Sequence, residues 1–246
     1  MNTKKIAFPV ILTFMLFLNT SCFLDLNAIS GSGSLVTQDR QVTNFTSIEL
    51  QTAADVEIVK GNTFHVSVSD YENLIQYLAI EVVDNRLIIK KKPTNISLVN
   101  SKAKVVVTLP DPLYSLKLTG SGTMQVNSAF NNLKYLLLTG SGKIDLKTSC
   151  RLDRLEATIS GSGNIQGIGS IQDLHTKISG SGNIVFSDMK AKTASCTLTG
   201  SGSMYVYVED NLEAFLSGSG NIIYSGSPVV HSNRSGSGHI SKKQAW

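Results

Sequence analysis

Residues 157–167, ATISGSGNIQG, have a glycine spacing that could form a phosphate-binding loop. Such a loop places its glycines at the start of a helix, where main-chain N–H groups point at the anion. Here Ile165 and the residues after it continue with the alternation of a strand. The last glycine also comes one residue too late for a dinucleotide-binding fingerprint. The segment therefore predicts a turn of the chain, and we expect no cofactor.

Other side chains with catalytic potential are dispersed along the chain. Among the acids, only Asp153 and Asp173 occupy similar positions in consecutive repeats, so they could face each other as the acid pair of a carbohydrate-active enzyme. Their alternative role is that of solvated surface acids. The serines lack the strand-to-helix elbow of a nucleophile, and the histidines lack metal-ligand spacing. We therefore predict no catalytic residue, no metal and no enzymatic activity. These histidines are His65, His175, His231 and His239.

The elements that position these residues come from an internal repeat. Gly-Ser-Gly occurs seven times from residue 120 onward, at intervals of 20, 21, 19, 20, 18 and 18 residues. A sustained period near this length indicates a repeat architecture. Glycine suits a sharp corner because it tolerates positive φ and close approach of another backbone. The glycines assigned to such corners are Gly120, Gly122, Gly140, Gly142, Gly161, Gly163, Gly180, Gly182, Gly200, Gly202, Gly218 and Gly220.

The residues around each corner predict strands. Apolar residues recur two and four positions before the first glycine, and four and six positions after it. This alternation is the period of a β-strand. Each repeat is thus predicted to be a strand, a corner, a second strand and a looser return. Stacked repeats would bury their apolar face with strands about 4.8 Å apart in parallel register. We predict an all-β fold, a parallel β-solenoid of six or seven coils over residues 113–242.

The outward positions supply the candidates for binding. Three asparagines, Asn164, Asn183 and Asn221, follow their corners at the same offset and could form a partial ladder of side-chain amides. Tyr205 and Tyr207 point outward by the alternation and are the candidate aromatic residues for a glycan. Surface tyrosines without a ligand are the simpler interpretation of this pair.

The two cysteines of the predicted solenoid, Cys150 and Cys196, are expected to be free thiols. Cys196 occupies an inward position, where a small apolar residue fits. Cys150 lies ten residues after Gly140, a count that places it level with Phe130 and Ile171 in the neighbouring coils. The two thiols would then lie on different faces of the solenoid.

Residues 35–112 have the sequence pattern of a β-rich cap. We predict alternating strands, one short helix from Tyr71 to about Tyr77, and a hairpin that turns at Asp84-Asn85. Because a solenoid end exposes unpaired strand edges, this region is expected to cover the first coil. The polar last coil and the tail, residues 243–246, are expected to form the second cap.

The N-terminus resembles an export signal. Lys4 and Lys5 precede an apolar stretch, residues 6–18, followed by small and polar residues and then Cys22. This stretch of 13 residues is shorter than the roughly 20 that span a membrane. We predict a lipoprotein signal over residues 1–21, with Cys22 as the lipidated residue. An ordinary signal peptide with Cys22 incidental is the alternative.

The remaining chain is weakly charged. Residues 22–34 are expected to be a lipidated cysteine and a tether rich in serine and glycine. Removal of Lys4 and Lys5 with the signal lowers the net charge from +4 to +2. A charge this small does not favour a nucleic-acid partner.

The repeated GSGNI at 161–165, 180–184 and 218–222, preceded by FTSIELQTAADVEIVKG at 45–61, resembles the putative autotransporter adhesin family with the head GIN domain. The resemblance covers about residues 35–242. It implies a protein of the Bacteroidota envelope with a right-handed β-helical body. It brings no binding residues to carry over.

These observations lead to three functional hypotheses. The first is a lipid-anchored, adhesin-like module at the outer membrane that binds glycans or proteins and has no catalytic activity. The second is a structural component that assembles with its own copies or with other envelope components. The third is a carbohydrate-active enzyme. The sequence leaves open the ligand, the oligomeric state and the face of the outer membrane that the body occupies.

Overall fold

A computed structural model describes residues 27–243 and confirms the all-β parallel β-solenoid. The signal, Cys22 and residues 244–246 lie outside the described residues. The strands of the N-terminal part are β1 (Ala28–Ser30), β2 (Leu35–Arg40), β3 (Ser47–Leu50), β4 (Asp55–Lys60), β5 (His65–Tyr71), β6 (Leu78–Val83), β7 (Arg86–Lys91), β8 (Ser97–Val99) and β9 (Lys104–Leu109). Those of the repeats are β10 (Ser115–Gly120), β11 (Thr123–Val126), β12 (Tyr135–Gly140), β13 (Lys143–Gly161), β14 (Asn164–Gly180), β15 (Asn183–Gly200), β16 (Ser203–Gly218), β17 (Asn221–Gly226), β18 (Val229–Ser235) and β19 (His239–Lys242).

Successive corners stack in register. Gly140 pairs with Gly120 on one side and with Gly161 on the other, and the same pairing continues to Gly218. Strand segments that precede the corners form one parallel array, which we call the pre-corner sheet. Segments that follow them form the post-corner sheet. Apolar residues at the predicted inward positions, such as Leu138 and Ile159, are buried in the core between these arrays.

The return of the middle coils differs from the prediction. From β13 to β16 the chain remains in strand conformation from one corner to the next, so these coils have no loose return. Small register shifts, for example between Leu146 and Cys150, absorb the varying repeat length. The first coil returns through a loop, residues 127–134, which buried Phe130 and Leu133 hold against the core.

The N-terminal region continues the solenoid and then closes it, as predicted. β3 and β4 form a coil that stacks on β10 and β11, with residues 51–54 as its corner. β7 and β9 extend the two arrays by one further parallel strand each. Antiparallel strands then follow, with β6 on β7, β5 on β9 and β2 on β5. The change of direction ends the parallel stack.

Local predictions in this region have mixed outcomes. The hairpin turn at Asp84-Asn85 is confirmed, because both residues have positive φ, 51° and 59°, between the antiparallel strands β6 and β7. The helix predicted from Tyr71 to Tyr77 is wrong. β5 extends to Tyr71, and only a 3-10 turn follows, Ile75–Tyr77. Strand pairing along β5 outweighs the weak local helical pattern.

The first described residues are attached to the body. β1 pairs in parallel with β8, and the N–H of Gly31 donates to the carbonyl of Val99 at 2.9 Å. Asn73 binds this segment from the other side, since its Nδ2 donates to the Ser30 carbonyl and its Oδ1 accepts from the Ser32 N–H, both at 2.8 Å. This part of the predicted tether therefore belongs to the folded domain.

Both cysteines are buried free thiols, as predicted. Burial raises the pKa of Cys196 to about 11 and also raises the pKa of Cys150. Cys150 lies beside Phe130, as predicted, and forms a hydrogen bond with its backbone. The predicted alignment of Cys150 with Ile171 is wrong, however. Cys150 lies opposite Gly169, and Ile171 lies opposite Leu152. The bulge after Leu146 displaces the register by two residues.

The last coil replaces apolar residues with polar ones. Arg234 stands opposite Leu216, at the inward position that holds leucine or isoleucine in the preceding repeats. Its Nη1 donates to the carbonyl of Gly238 at 2.9 Å, so the guanidinium bridges the last corner. Another coil stacked here would bury this charge without a partner. Arg234 therefore disfavours end-to-end pairing of solenoids through the exposed strands of the last coil.

We expect Gly142→Ala to lower the free energy of unfolding by about 1–3 kcal/mol, the usual cost of overpacking. A Cβ at Gly142 would stand 2.4 Å from the carbonyl oxygen of Gly122 and 2.6 Å from Leu118 Cδ2. Urea unfolding followed by circular dichroism measures the change, with exposed Ser141→Ala as the matched control. Equal stabilities of the two variants would show that close corner stacking does not limit stability.

Candidate functional site

Three adjoining recesses lie on the pre-corner sheet and its margin. Their volumes are about 430, 260 and 220 Å³. Glu156 lines all three, while Tyr135, Arg154 and Thr158 each line two of them. Because they share these side chains, the recesses form one continuous depression. We call it the Tyr135 groove.

The largest of these three recesses forms where the return of the first coil differs from that of the next coil. Loop 127–134 gives way to the extended return of β13, which brings Asn131 beside Asp153 and Arg154. Asn131 is fixed, because its Oδ1 accepts a hydrogen bond from the N–H of Arg151 at 3.1 Å. The difference between a loop return and a strand return thus creates a cavity with ordered walls.

Tyr135 is the exposed aromatic residue of the groove. It begins β12, and 52% of its surface is accessible to solvent. Its neighbours in register are Ser115 on β10 and Glu156 on β13. The carbonyl of Tyr114 accepts hydrogen bonds from the N–H groups of Lys134 and Tyr135, at 2.9 and 3.1 Å. Lys134 Nζ also lies 5.5 Å from the centre of the Tyr114 ring. The backbone below Tyr135 is therefore firmly held.

An ion-pair network borders the groove on β13 and β14. Asp173 Oδ2 accepts from Arg154 Nη1 at 3.1 Å and contacts His175 Nε2 at 2.8 Å. Thr193 Oγ1 donates to Asp173 Oδ1 at 3.2 Å. Burial acts to raise the pKa of Asp173, but the hydrogen bond and charge of His175, together with Thr193 and Arg154, lower it below its usual value. Asp173 therefore orients Arg154 and His175 as a carboxylate.

A second network borders the opposite end of the groove. Glu49 is buried, and its Oε1 accepts from Gln51 Nε2 at 2.8 Å and pairs with Lys117 Nζ at 3.0 Å. Arg86 Nη1 donates to Glu49 Oε2 at 3.3 Å. Burial raises the pKa of Glu49, but these hydrogen bonds and the charges of Lys117 and Arg86 bring it below the usual value.

Between these networks, the groove keeps polar groups available to a ligand. Within residues 27–243, the side chains of Glu156, Asp153 and Lys177 form no ion pair or hydrogen bond. An aromatic ring beside free carboxylates, amides and hydroxyls is suited to sugars, which present both C–H faces and hydroxyl groups.

The structure does not bring the predicted acid pair together. Asp173 lies opposite Arg154, not Asp153, and its carboxylate is occupied by that arginine and by His175. Asp153 instead lines the largest recess together with Glu156. No group of three or more His, Cys, Asp or Glu side chains within the described part of the chain could hold a metal ion.

The predicted aromatic candidates lie elsewhere. Tyr205 and Tyr207 are half-buried outward residues of the post-corner sheet, and neither lines the groove. Tyr205 stands between Val185 and Ile223, while Lys190 Nζ lies 5.9 Å from the Tyr207 ring centre. These contacts occupy much of the surface of both rings.

The predicted asparagine ladder, on the same sheet, is partly formed. Asn183 Nδ2 donates to Asn164 Oδ1 at 3.0 Å, and Asn183 Oδ1 accepts from the N–H of Ser203 at 3.1 Å. Ser203 then separates these two asparagines from Asn221.

Sequence reasoning missed Tyr135. The available signal was its outward position, five residues before Gly140, next to a return that lacks strand alternation. Equivalent positions in neighbouring repeats hold Ser115, Glu156 and His175, so the column has no shared residue type. Because the residue type at this position changes from repeat to repeat, no periodic pattern in the sequence marks it.

The comparisons with known proteins agree with this fold. Residues 44–228 match the family described as Putative auto-transporter adhesin, head GIN domain. A structure described as a putative lipid binding protein from Parabacteroides distasonis is 28% identical, with a TM-score of 0.75 and coverage of 88% of this chain and 100% of the other. No curated protein matches the chain.

Two further structures are described as putative adhesins. The one from Bacteroides fragilis is 23% identical, with a TM-score of 0.81, and covers 87% of this chain and 100% of its own. The one from Parabacteroides merdae is 24% identical, with a TM-score of 0.71, and covers 89% and 100%. At these identities the likeness shows the fold alone. Within residues 27–243, no helix has the length and apolarity to cross a membrane.

We expect Glu49→Gln to lower the free energy of unfolding at neutral pH by about 1–2 kcal/mol, since hydrogen bonds to a charged group are lost. The folded-state pKa of Glu49 lies below its ordinary value of 4.5, so its contribution is present above that pH and is lost as the pH falls further. Thermal unfolding from neutral to acidic pH measures both effects. The variant should lose part of the acid-induced decrease in stability below about pH 4.5. Glu57→Gln, at a more exposed ion pair, is the control. An unchanged acid dependence would show that the Glu49 network is not a stabilising one.

Proposed function

Because the chain belongs to the family of putative auto-transporter adhesins with a head GIN domain, we propose that it is a non-catalytic, lipid-anchored envelope module that binds glycans through the Tyr135 groove. Membership of an adhesin family indicates an envelope or extracellular protein. The observation that carries the proposal is the exposed ring of Tyr135 between two side-chain networks that fix the groove walls.

Glycan binding uses both kinds of surface in the groove. The Tyr135 ring can stack against the C–H face of a sugar, while Glu156 and Asp153 can accept hydrogen bonds from its hydroxyl groups. Asn131 donates through its Nδ2, because its Oδ1 is already engaged. Since the groove is held before the ligand arrives, little ordering cost opposes binding.

An extended peptide fits the groove less well. Peptides that lie on a sheet usually add a strand at a free edge, where main-chain hydrogen bonds supply the affinity. β10, β12 and β13, the strands below Tyr135, are each paired on both sides. Only side chains therefore remain available to a ligand in the groove, which favours a ligand rich in hydroxyl groups.

Lipid binding, which the description of the Parabacteroides distasonis neighbour names, does not suit the groove. A pocket for an acyl chain needs a mainly apolar lining. The largest of the three recesses of the groove is lined instead by asparagines and by charged side chains of both signs, including Lys134, Arg154 and Glu156. We therefore assign lipid to the anchor and glycan to the groove.

The anchor would hold the body close to the membrane. Only five peptide steps separate Cys22 from Asn27, which lies directly before the docked strand β1. A fully extended chain of this length spans at most about 18 Å. With lipid on Cys22, the end of the solenoid that carries β1 and β8 would face the bilayer.

We expect Tyr135→Ala to weaken glycan binding about tenfold or more, as truncation of an aromatic anchor typically does. Native affinity electrophoresis in gels containing xylan, pectic galactan, hyaluronan or chondroitin sulfate measures the retardation of each variant. Tyr205→Ala, on the other sheet, is the matched control and should migrate as the wild type. Loss with Tyr205→Ala but not with Tyr135→Ala would move the site to the post-corner sheet. Absence of retardation in every gel would count against glycan binding.

We expect Cys22→Ser to abolish membrane association, because the lipid is attached through the sulfur atom of Cys22. Membrane fractionation and incorporation of labelled palmitate, with the full chain expressed in a Bacteroidota cell, provide the readout. Ser21→Ala, which keeps a small residue before the cysteine, should retain both signals. A Cys22→Ser protein that still fractionates with membranes and still incorporates label would contradict the lipoprotein assignment.

A further inference from the structure

We infer that the Tyr135 groove binds the interior of a linear glycan that lies along the solenoid axis, with Phe215 as a second aromatic platform. This inference rests on the proposed function and specifies the form of the ligand. It also assigns a role to Phe215, an exposed apolar residue that the core does not use.

The groove follows a column of outward residues on the pre-corner sheet. The outward column through Tyr135 crosses seven strands of the pre-corner sheet, so its ends are six strand spacings apart, or about 29 Å. The groove therefore runs perpendicular to the strands and parallel to the solenoid axis. The column consists of Arg86, Ser47, Ser115, Tyr135, Glu156, His175 and Ser195.

Phe215 is a second exposed aromatic residue of the pre-corner sheet. This residue lies on β16 in register with Thr197, and 47% of its surface is exposed. Thr197 lines the same recess as Arg154 and Glu156. Phe215 therefore stands directly beyond the end of the groove, on the same sheet as Tyr135.

The rings of Tyr135 and Phe215 lie several strands apart along the solenoid axis. Tyr135 lies on β12 and Phe215 on β16, four strand spacings apart, which corresponds to about 19 Å. A single sugar cannot contact both rings at this separation, whereas an extended chain of several sugars can. Linking two weak contacts in one ligand raises affinity through effective concentration.

The surface between the rings of Tyr135 and Phe215 has polar outward residues, which include Glu156, His175, Lys177 and Thr197. Hydroxyl groups of the intervening sugars can bind these side chains without burying an unpaired charge. A chain of apolar units would leave them desolvated and without partners. The surface thus favours a glycan over an apolar polymer.

The column continues beyond the groove over exposed residues. Ser195 pairs in register with Glu213, and Glu213 pairs with His231; the side chains of Glu213 and His231 are exposed. A ligand can therefore extend past Phe215 in the direction of β18. This geometry suits binding within a polymer chain more than capture of a chain end.

The experiment uses oligosaccharides of two to ten sugar units, prepared from whichever of the four polymers retards the wild-type protein most. Isothermal titration calorimetry gives the affinity for each length. We expect the longest oligomers to bind at least about tenfold more tightly than the disaccharide, a difference equivalent to about 1.4 kcal/mol. Phe215→Ala should remove this gain and leave disaccharide binding unchanged, while Phe215→Tyr should keep the gain.

The outcomes separate this inference from the proposed function. Equal affinity for all lengths would overturn the axial groove, although glycan binding at Tyr135 would stand. A length gain that survives Phe215→Ala, with unchanged thermal unfolding, would overturn the role of Phe215. If no polymer retards the wild-type protein, the proposed function fails and the inference fails with it.

Discussion

The structure depends on the close main-chain contact between stacked Gly-Ser-Gly corners. At the five corners that begin at Gly120, Gly140, Gly161, Gly180 and Gly200, the carbonyl of the first glycine accepts two hydrogen bonds from the next coil. Ser141 and Gly142, for example, donate to Gly120 at 3.1 and 3.0 Å. A Cβ at Gly140 would stand 2.6 Å from the same oxygen, and the residue has a φ of 123°. Only glycine tolerates both conditions. Because each corner fixes its neighbour without a shift, the register of the strands on both sides follows from it.

This constraint divides the residues of each coil into two groups. Inward residues must match the apolar residue above and below them, which explains the repeated leucine and isoleucine beside each corner. Outward residues contact solvent and other outward residues, so their identities can change from coil to coil without loss of the core. The groove is built from such outward residues. The scaffold therefore offers a rigid surface whose chemistry varies independently of the fold.

The corners, the stacking and the N-terminal cap could be predicted because they rest on periodic residues. The acid pair and the alignment of Cys150 with Ile171 could not, because a count forward from the preceding corner crosses the bulged return. Counted backward from the following corner, Arg154 and Asp173 are both seven residues before a glycine, which is their observed pairing. The groove was beyond sequence reasoning for a different reason. It arises from the contrast between one loop return and its strand neighbours, and no local pattern marks that contrast.

The difference between the two sheets explains why binding is assigned to one of them. On the post-corner sheet, polar groups largely satisfy each other, as Asn183 does with Asn164 and Ser203, and Tyr207 is covered by Lys190. On the pre-corner sheet, the networks of Glu49 and Asp173 lie at the borders. Between them, the Glu156 side chain has no partner among residues 27–243. A ligand gains most where donors and acceptors are already positioned but still bound only to water. That condition is met in the groove, beside the exposed ring of Tyr135.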